Sequence, residues 1–269
     1  MTALFLLQNK TMAPISSFPT VSVLIPAFNE EKYILNTLQA LLKQDYPFFE
    51  IIIADNASTD RTSIIVERFI NENTSLSIRQ VYEDRKGTNF ARERARLAAT
   101  GSIIAQLDAD CIPPMDWISK GVSSILKKSS NRVAVTGPYD YFDGDKLMRY
   151  ASLLTQKITY PFINYLVQIS GKGAILIGGN AFIHADALDK VGGYNTALTF
   201  YGDDIDLGKR LAKLGQVTYD IALVQLSSSR RFKAIGFWEV NKRYQNCFWE
   251  LIVDKKSLAL NTTETNHPR

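Results

Sequence analysis

The chain has 269 residues, of which 46% are hydrophobic and 22% are charged, and its formal net charge is +4. This composition is that of an ordinary globular protein, and the length allows one large domain or two small ones. The mild positive charge favours anionic ligands or an anionic membrane surface, but it lacks the clustered basicity of a nucleic-acid-binding protein. The cysteines, Cys111 and Cys247, have neither metal-type spacing nor a disulfide framework, which fits a reducing compartment.

We predict no membrane-spanning segment at either end of the chain or in its longest apolar stretch. Residues 1–19 are predicted to be a flexible leader, too short for a secretory signal, and residues 261–269 a disordered tail. The stretch 151–169 is apolar but is interrupted by Lys157 and Pro161, among other residues. We therefore predict that it does not cross a membrane.

The first half of the chain alternates predicted strands with predicted helices. After the first strand, Asn29 is predicted to cap a helix with Glu30 and Glu31 in its first turn, and Thr59 or Asp60 is predicted to cap the second helix. The predicted strands lie at 21–25, 50–54, 78–82 and 103–107, and an alanine-rich helix at 89–99 precedes the last of them. Such alternation favours a mostly parallel sheet that is covered by helices on both faces.

Polar residues follow three of these strands, at 26–30, 55–60 and 108–110. In open sheets of this type, ligands bind beyond the carboxyl ends of the strands. We therefore expect the three polar segments to meet on one rim of the sheet and to form a binding site there.

Asp108 and Asp110 are two residues apart, so an extended chain points both carboxylates to the same side. Two neighbouring carboxylates repel each other unless a cation or hydrogen-bond donors compensate them. Mg²⁺ and Mn²⁺ accept such oxygen ligands and complete their coordination with water and substrate phosphates. A triplet of this kind, taken alone, is more often a solvated turn, so the prediction of a cation site depends on the neighbouring motifs.

Six motifs occur in the order that is typical of family 2 glycosyltransferases. They are Ile25-Pro26-Ala27-Phe28-Asn29-Glu30, Asp55-Asn56-Ala57-Ser58-Thr59-Asp60, Asp108-Ala109-Asp110, Gly178-Gly179-Asn180, Gly192-Gly193-Tyr194, and Tyr201-Gly202-Asp203-Asp204-Ile205-Asp206-Leu207. Over residues 20–232 the chain thus resembles family 2 glycosyltransferases of the GT-A fold. The resemblance implies an α/β fold with a Rossmann-like, mostly parallel central sheet, helices on both faces and a small acceptor-side subregion.

The resemblance also implies a division of labour along the chain. Residues 20–112 would form a half that binds a nucleotide sugar and residues 113–232 a half that binds the acceptor, and residues 233–260 would form a helical extension. The implied reaction moves a sugar from a nucleotide diphosphate, typically a UDP-sugar, to an acceptor hydroxyl with inversion at the anomeric carbon.

Several residues would contact the donor if the family pattern is carried over position by position. Asp55 would bond the base, Asp108 would lie near the ribose, and Asp110, with Asp108 beside it, would hold a Mn²⁺ or Mg²⁺ ion that bridges the phosphates. Lys86 occupies a position where the family often has a nucleotide contact. The residues expected to border the nucleoside are Pro26, Ala27 and Glu30.

Three acidic residues, Asp203, Asp204 and Asp206, open a predicted helix. Favourable interaction with the helix macrodipole, about 0.3–1 kcal/mol each, explains one or two of them. The family pattern at this point is Glu-Asp-x-Asp, and its second residue is the usual base, which implies that Asp204 deprotonates the acceptor. A partly desolvated carboxylate among other carboxylates has a raised pKa, which suits a base. Asp203 stands where glutamate is commoner, so its own contact stays open.

Arg230 and Arg231 follow a predicted strand at 219–226, and we expect one of them to neutralise the leaving diphosphate. The alternative for this pair is a solvated basic turn. Many relatives have a histidine in this region that binds the metal. The histidines of this chain, His184 and His267, are not well placed for that role.

The acceptor pocket is predicted from fewer signals. Gly179 allows close backbone approach, and Asn180 could bond a sugar hydroxyl. Trp117 is expected either to wall the acceptor site or to pack in the core. Aromatic residues in 139–172 and aromatic and basic residues in 232–253 would lie at a membrane surface or pack against the protein. A lipid-linked acceptor is therefore left open. For the location of the protein, we predict the cytoplasm or the cytoplasmic face of a membrane.

Three other functions were compared with this one. A nucleotidyltransferase would need a glycine-rich basic loop at 26–30, and a dinucleotide-dependent oxidoreductase would need G-x-G-x-x-G there; the segment contains no glycine. A non-catalytic protein that binds sugar nucleotides is disfavoured by the aspartate pair and by Asp204. Among these, the non-catalytic protein and the nucleotidyltransferase remain as alternatives to the glycosyltransferase.

Overall fold

The computed structural model of the protein describes residues 18–127, 131–198, 202–236, 238–240, 242–243 and 246. Residues 1–17 of the predicted leader and the whole predicted tail at 261–269 lie outside the described residues.

The predicted alternation of strands and helices in the first half is confirmed. The elements are β1 (Val21–Ala27), α1 (Ile34–Leu41), β2 (Phe49–Asp55), α2 (Thr62–Glu72), β3 (Ser77–Tyr82), α3 (Thr88–Ala98), β4 (Ile103–Leu107), β5 (Cys111–Ile112) and α4 (Trp117–Ile125).

The second half continues with shorter strands and one long helix. Its elements are β6 (Arg132–Thr136), β7 (Tyr139–Tyr141), α5 (Lys146–Ile169), β8 (Asn180–His184), α6 (Ala185–Lys190), α7 (Asp203–Leu211), β9 (Gln216–Tyr219), β10 (Gln225–Ser227) and α8 (Arg230–Ile235).

The strands form a large sheet of order β3-β2-β1-β4-β8-β6-β9 and a small sheet of order β5-β10-β7. In the large sheet, β1 to β4 run parallel to one another and β6 runs parallel to β9, while β8 is antiparallel to both of its neighbours. The prediction of a mostly parallel central sheet is therefore confirmed.

The two faces of the large sheet each pack against their own hydrophobic core. Along β1, Val23 and Ile25 point into the core that α1, α2 and α4 cover, whereas Leu24 points into the core on the α3 and α7 side. All three are fully buried. Because both faces are covered, the strands read as continuous apolar runs, which is the pattern that parallel sheets produce.

The predicted cap of the first helix is wrong. The helix begins at Ile34, with neither Glu30 nor Glu31 in its first turn. Asn29 instead adopts a left-handed φ of 56° and joins two loops: its Oδ1 accepts from the Thr59 N–H at 2.8 Å. The predicted cap of the second helix, Thr59 or Asp60, is wrong as well: the N-cap position is Arg61, and Asp60, one residue earlier, accepts from the Thr62 N–H at 2.9 Å.

The predicted strand at 219–226 is also wrong, because the chain changes sheets within it. β9 ends at Tyr219, and Asp220 then closes a turn by accepting from the Ala222 N–H at 2.9 Å. The following strand, β10, belongs to the small sheet, where it pairs with β5 and β7.

The predicted extension at 233–260 is described in part. α8 ends at Ile235, and Gly236 follows with φ of 95°. Helical positions recur at 238–240, 242–243 and 246, and the remaining residues after Gly236 lie outside the described part of the chain. Among the described residues, no helix combines the length and the apolar character needed to cross a membrane.

Candidate active site

The site lies at the carboxyl ends of β2, β1 and β4, which are neighbours in the sheet. Ala27 at the end of β1 pairs with Asp55 at the end of β2, and the β4 strand ends directly before Asp108. Side-chain hydrogen bonds join the loops that follow: the Glu30 N–H donates to Thr62 Oγ1 at 2.7 Å. The three polar segments therefore meet on one rim, as the strand order requires.

Arg230 joins the first of these loops to the aspartate pair. Its guanidinium donates two hydrogen bonds to the buried Glu30 carboxylate, at 2.7 and 2.6 Å. Its Nε lies 2.9 Å from Asp110 Oδ2, and its guanidinium carbon lies 4.7 Å from the centre of the Tyr33 ring. The first turn of α8 thus contributes directly to the site, although it is 120 residues from Asp110 in sequence.

Burial raises the pKa of Asp110 to about 6. The positive charges of Arg230 and Arg231 oppose this shift, whereas the carboxylates of Asp108 and Glu30 add to it. A buried acid whose neighbours carry both signs of charge is the kind of group that binds a cation readily, because the cation relieves the repulsion between the acids.

Asp108, Asp110 and Cys111 place one potential ligand atom each within 4.8 Å of one another. Burial raises the pKa of the Cys111 thiol well above its usual range, so this group stays protonated. Mn²⁺ and Mg²⁺ prefer oxygen ligands and leave several positions for water and phosphate. The two carboxylates fit such an ion, and the thiol does not.

A second arginine, Arg92 of α3, organises the acidic residues on the other side of Asp108. Its Nη1 donates to Asp203 Oδ2 at 2.7 Å and to Asp204 Oδ1 at 3.3 Å, and its Nη2 donates to Asp108 Oδ1 at 3.2 Å. Burial alone would lower the pKa of Arg92, but the three carboxylates raise it above its ordinary value. The guanidinium is therefore a permanent cation that holds three acids together.

Two glycines before β8 let the carboxylates of Asp108 and Asp204 approach the backbone. The Gly178 N–H donates to Asp204 Oδ2 at 3.0 Å. A Cβ at Gly178 would lie 2.0 Å from Asp204 Oδ1, and one at Gly179 would lie 2.2 Å from Asp108 Oδ2 and from the Tyr139 hydroxyl. No side chain fits at either position without moving these groups, so the glycine pair is a steric requirement of the site.

Asp204 has the properties of a proton acceptor. Burial raises its pKa most, the neighbouring Asp203 carboxylate raises it further, and Arg92 acts in the opposite direction. The side chain is half-buried, with 32% of its surface exposed. Asp206, by contrast, pairs with Arg210 one helical turn later at 2.8 Å and does not join this cluster.

The sequence model of a family described as "Glycosyl transferase family 2" matches residues 22–192, which is more than half of the chain. The chain belongs to glycosyltransferase family 2. The match covers β1 to β8 and therefore includes Asp108, Asp110 and the glycine pair, while Asp204 and Arg230 lie beyond it.

Several named glycosyltransferases are similar to this chain. It is 30% identical over 204 residues to "Glycosyltransferase AglE" of Haloferax volcanii, which covers 74% of this chain and 64% of the relative. It is 30% identical over 157 residues, or 58% of each chain, to the Escherichia coli glucosyltransferase WfgD, named as using UDP-Glc and a GlcNAc-diphosphoundecaprenol. The chain thus spans about two thirds or less of the length of these relatives.

Solved structures of other glycosyltransferases share the GT-A fold with this chain. The mannosyltransferase PcManGT of Pyrobaculum calidifontis, solved with GDP-Man and Mn²⁺, has a TM-score of 0.64 at 25% identity, covering 86% of this chain and 63% of the other. TarS 1–349 of Staphylococcus aureus, solved with UDP-GlcNAc, has a TM-score of 0.60 at 20% identity, covering 78% and 59%. The predicted GT-A fold is confirmed.

Two residues predicted for the acceptor pocket have a structural role in this family 2 chain. Asn180 is fully buried: its Oδ1 accepts from Trp117 Nε1 at 2.8 Å, and its amide donates to the Leu223 carbonyl at 2.8 Å and the Pro138 carbonyl at 3.3 Å. Trp117 is itself buried, with its ring 4.7 Å from that of Phe182. Neither side chain is left to face a sugar, so the predicted sugar contact of Asn180 is wrong, and Trp117 packs in the core.

The residues predicted to contact the nucleotide lie at the ends of β1 and β2 or near the loop after β1. Asp55 is buried at the end of β2, and its Oδ1 accepts from the Ser58 N–H at 3.0 Å. Pro26 and Ala27 form the last residues of β1 beside it. Lys86 is exposed, and its Nζ lies 5.2 Å from the centre of the Phe28 ring in the loop after β1.

Arg92 is the residue that the sequence prediction missed. It lies within the predicted alanine-rich helix, next to the buried Ala91 and three residues before the buried Ala95. An arginine adjoining the buried stripe of a helix needs partners, because unpaired charges are almost never fully buried. This position in the helix was the sequence signal for a buried ion pair, and it did not indicate which acidic residues pair with Arg92.

Proposed function

We propose that this family 2 chain transfers a sugar from a nucleoside diphosphate donor, a UDP-sugar, to an acceptor hydroxyl with inversion at the anomeric carbon. The observation that carries the proposal is the convergence of Asp108 and Asp204 on the Gly178–Gly179 backbone, with Asp110 next to Asp108. In this proposal Asp108 and Asp110 form the cation site, and Asp204, which contacts the same glycine pair, is the proton acceptor. The family membership supports the same reaction class.

On the donor side, the chain's own residues would bind and neutralise the diphosphate. Asp110 and Asp108 would hold Mn²⁺ or Mg²⁺, which supplies positive charge for the leaving group when bound. Arg230 and Arg231 of α8 add permanent positive charge at the same place, and both already act on the pKa of Asp110. The buried Asp55, with Pro26 and Ala27, would receive the nucleoside, and Lys86 would close over it.

On the acceptor side, Asp204 would take the proton from the attacking hydroxyl. In a single displacement the acceptor oxygen bonds to the anomeric carbon, the bond to the diphosphate breaks with its electron pair, and the proton moves to the Asp204 carboxylate. Positioned proton transfer of this kind contributes about 10²–10⁴-fold to a rate. Arg92 would keep that carboxylate aimed, because it bonds Oδ1 while Gly178 bonds Oδ2.

The acceptor in this proposal is a glycan or a lipid-linked sugar of cell-envelope synthesis. The names of relatives support this class: WfgD is named for an undecaprenol-linked acceptor, and TuaG of Bacillus subtilis for teichuronic acid biosynthesis. A location in the cytoplasm or on the cytoplasmic face of a membrane belongs to the same proposal, supported by the buried free thiol of Cys111.

Calorimetric titration with UDP, GDP and dTDP, each with and without Mn²⁺, tests the donor side. We expect one nucleotide, UDP, to bind in a Mn²⁺-dependent manner, and we expect Asp110→Asn to abolish that dependence. Asp116→Asn is the matched control, because Asp116 pairs with Lys120 at the start of α4, away from the rim. Equal binding by wild type and Asp110→Asn, or no binding of any nucleotide, would contradict the proposal.

A further inference from the structure

Helix α5 buries two polar residues and leaves most of its large apolar side chains exposed. The buried positions of its 24 residues are Gln156, Asn164 and Val167. A helix that packs on a water-soluble body normally shows the opposite arrangement, with the apolar stripe facing the core. The reversed pattern calls for an explanation in terms of what α5 contacts on its outer side.

The inner face of α5 is fixed by hydrogen bonds. The Gln156 side chain accepts from the Tyr139 N–H at 2.9 Å and donates to the Tyr139 carbonyl at 3.0 Å. Asn164 accepts from the Ile175 N–H at 2.8 Å and donates to the Val217 carbonyl at 2.9 Å. These bonds set the rotation of the helix, so the apolar residues cannot turn inwards without breaking them.

The α5 outer face consists of eight large hydrophobic side chains with exposed fractions from 43% to 80%. They recur mostly every three or four residues along the whole helix: Leu147, Tyr150, Leu154, Ile158, Phe162, Tyr165, Leu166 and Ile169. Single exposed hydrophobic residues are ordinary, but a continuous stripe of this length marks an interaction surface.

The charged residues of α5 and of the turn after it are all basic. Between residues 146 and 172 the sequence contains Lys146, Arg149, Lys157 and Lys172 but no aspartate or glutamate. Arg149 pairs with Asp140 of β7, so the three lysines carry the net charge of the segment. A second copy of this chain, packed through the same helix, would bring these lysines towards one another, which is unfavourable at an interface. The nearest acid in sequence, Asp145, already caps the helix by accepting from the Met148 N–H at 2.9 Å.

We propose that the α5 outer face docks on the surface of an anionic lipid bilayer. A helix with a broad apolar face and flanking lysines gains from apolar burial at the acyl boundary and from attraction to anionic headgroups. Tyr150 and Tyr165 suit that boundary, because their rings are apolar and their hydroxyls stay hydrated. Helix α5 would lie in the plane of the interface, without spanning the bilayer.

This docking would bring the bilayer close to the candidate active site. Gln156 of α5 holds the backbone of Tyr139, and the Tyr139 hydroxyl donates to Asp108 Oδ2 at 3.2 Å. One residue therefore separates the docking helix from the aspartate pair. Membrane binding itself does not depend on the transfer reaction; only its use in presenting a lipid-linked acceptor rests on the proposed function.

Vesicle co-sedimentation tests the proposal with a matched pair of variants. Leu154→Ser/Ile158→Ser removes one leucine and one isoleucine from the α5 outer face, where they are 60% and 64% exposed. Leu97→Ser/Ile64→Ser removes the same two residue types from α3 and α2, at 65% and 66% exposure. We expect wild type and the control to bind phosphatidylcholine vesicles that contain phosphatidylglycerol, and the α5 variant to bind about tenfold more weakly or worse.

Vesicles of phosphatidylcholine alone provide the charge comparison, and binding to them should be clearly weaker. Equal binding of the α5 variant and wild type, or no wild-type binding to the anionic vesicles, would overturn the proposal. So would a wild-type dimer, seen by sedimentation velocity, that the α5 variant dissociates without any loss of vesicle binding. Both variants should titrate with UDP and Mn²⁺ as wild type does, which separates a failure here from a failure of the proposed function.

Discussion

The candidate site contains two acidic clusters, and each is built around one arginine. Arg92 holds Asp203, Asp204 and Asp108, and its side chain is only 6% exposed. Arg230 holds Glu30 and Asp110, and its side chain is 23% exposed. The first arginine comes from a helix in the middle of the fold and the second from a short helix at its edge, so we expect the first cluster to be a fixed part of the core and the second to rearrange more easily.

This contrast matches the tasks that we propose for the two clusters. A base must be aimed at one proton, so a rigid support from Arg92 and the Gly178 N–H suits Asp204. A diphosphate and its cation must enter and leave in every cycle, so a more exposed arginine on a short helix suits Asp110. The following substitutions test whether the two clusters differ in this way.

The largest expected effect is that of Asp204→Asn on turnover. Loss of the proton acceptor should lower the transfer rate by about 10²–10⁴-fold while donor binding persists. The rate should be measured at saturating donor, and donor affinity separately by calorimetry. Asp186→Asn is the matched control, since Asp186 also lies in the first turn of a helix and pairs with an exposed lysine. Near-normal turnover in Asp204→Asn would remove the residue from the proposed role.

Arg92→Met should have the largest effect on stability. It leaves three carboxylates without their shared cation, and breaking a buried ion pair in this way costs about 3–5 kcal/mol. Thermal unfolding compared with Arg94→Met measures it, because Arg94 is an exposed residue of the same helix. If both variants unfold at the same temperature, Arg92 is not the support that the contacts indicate.

Arg230→Met should weaken donor binding more than it destabilises the fold. A lost hydrogen bond to a charged group costs about 1.5–3 kcal/mol, which corresponds to about tenfold or more in affinity for the diphosphate. Its unfolding temperature should fall by less than that of Arg92→Met. Arg68→Met, in an exposed ion pair on α2, is the control for both measurements. If Arg230→Met strongly lowers the unfolding temperature but leaves the affinity for UDP unchanged, the proposed difference between the two clusters is contradicted.

The transfer rate should depend on pH through Asp204. Burial and Asp203 raise its pKa to about 7. Since the base acts when deprotonated, the rate at saturating donor should fall as the pH drops through this value and level off above it. Arg92 lowers the pKa, so Arg92→Met, where it still folds, should move this limb to higher pH. A profile that is flat between pH 6 and 8 would be at odds with this assignment.

The smallest expected effect is that of Trp117→Phe. It keeps most of the aromatic packing but leaves the buried Asn180 Oδ1 without its donor, so stability should fall by about 1–3 kcal/mol. Turnover at a temperature well below unfolding should stay near that of wild type. A large loss of turnover with unchanged stability would instead return Trp117 to the acceptor pocket.

The fold and the rim of the site follow from local patterns in the sequence. Continuous apolar runs predict buried parallel strands, and the polar segments after 25, 54 and 107 must then share an edge. What the sequence could not give were contacts between distant residues. Asn180 looked available for a sugar, but Trp117 and Leu223, 63 and 43 residues away, use its amide.

The wrong predictions for Asn29 and for the strand at 219–226, and the omission of Arg92, have the same physical origin, which is contact between residues that are distant in sequence. Asparagine commonly caps helices, but the Asn29 side chain instead accepts a hydrogen bond from Thr59 in the loop after β2. The strand predicted at 219–226 has the right residues, but periodicity cannot show that the chain moves to another sheet. In the sequence, Arg92 is one charged residue of a predicted helix. Only the fold brings it to three aspartates that are 16, 111 and 112 residues away.

Titration of UDP in the presence of Mn²⁺ into Asp110→Asn and Asp204→Asn tests the central claim that the two clusters have separate roles. We predict that Asp110→Asn loses Mn²⁺-dependent binding, whereas Asp204→Asn binds UDP with the wild-type dissociation constant. Loss of UDP binding in Asp204→Asn, or wild-type binding in Asp110→Asn, would contradict the account.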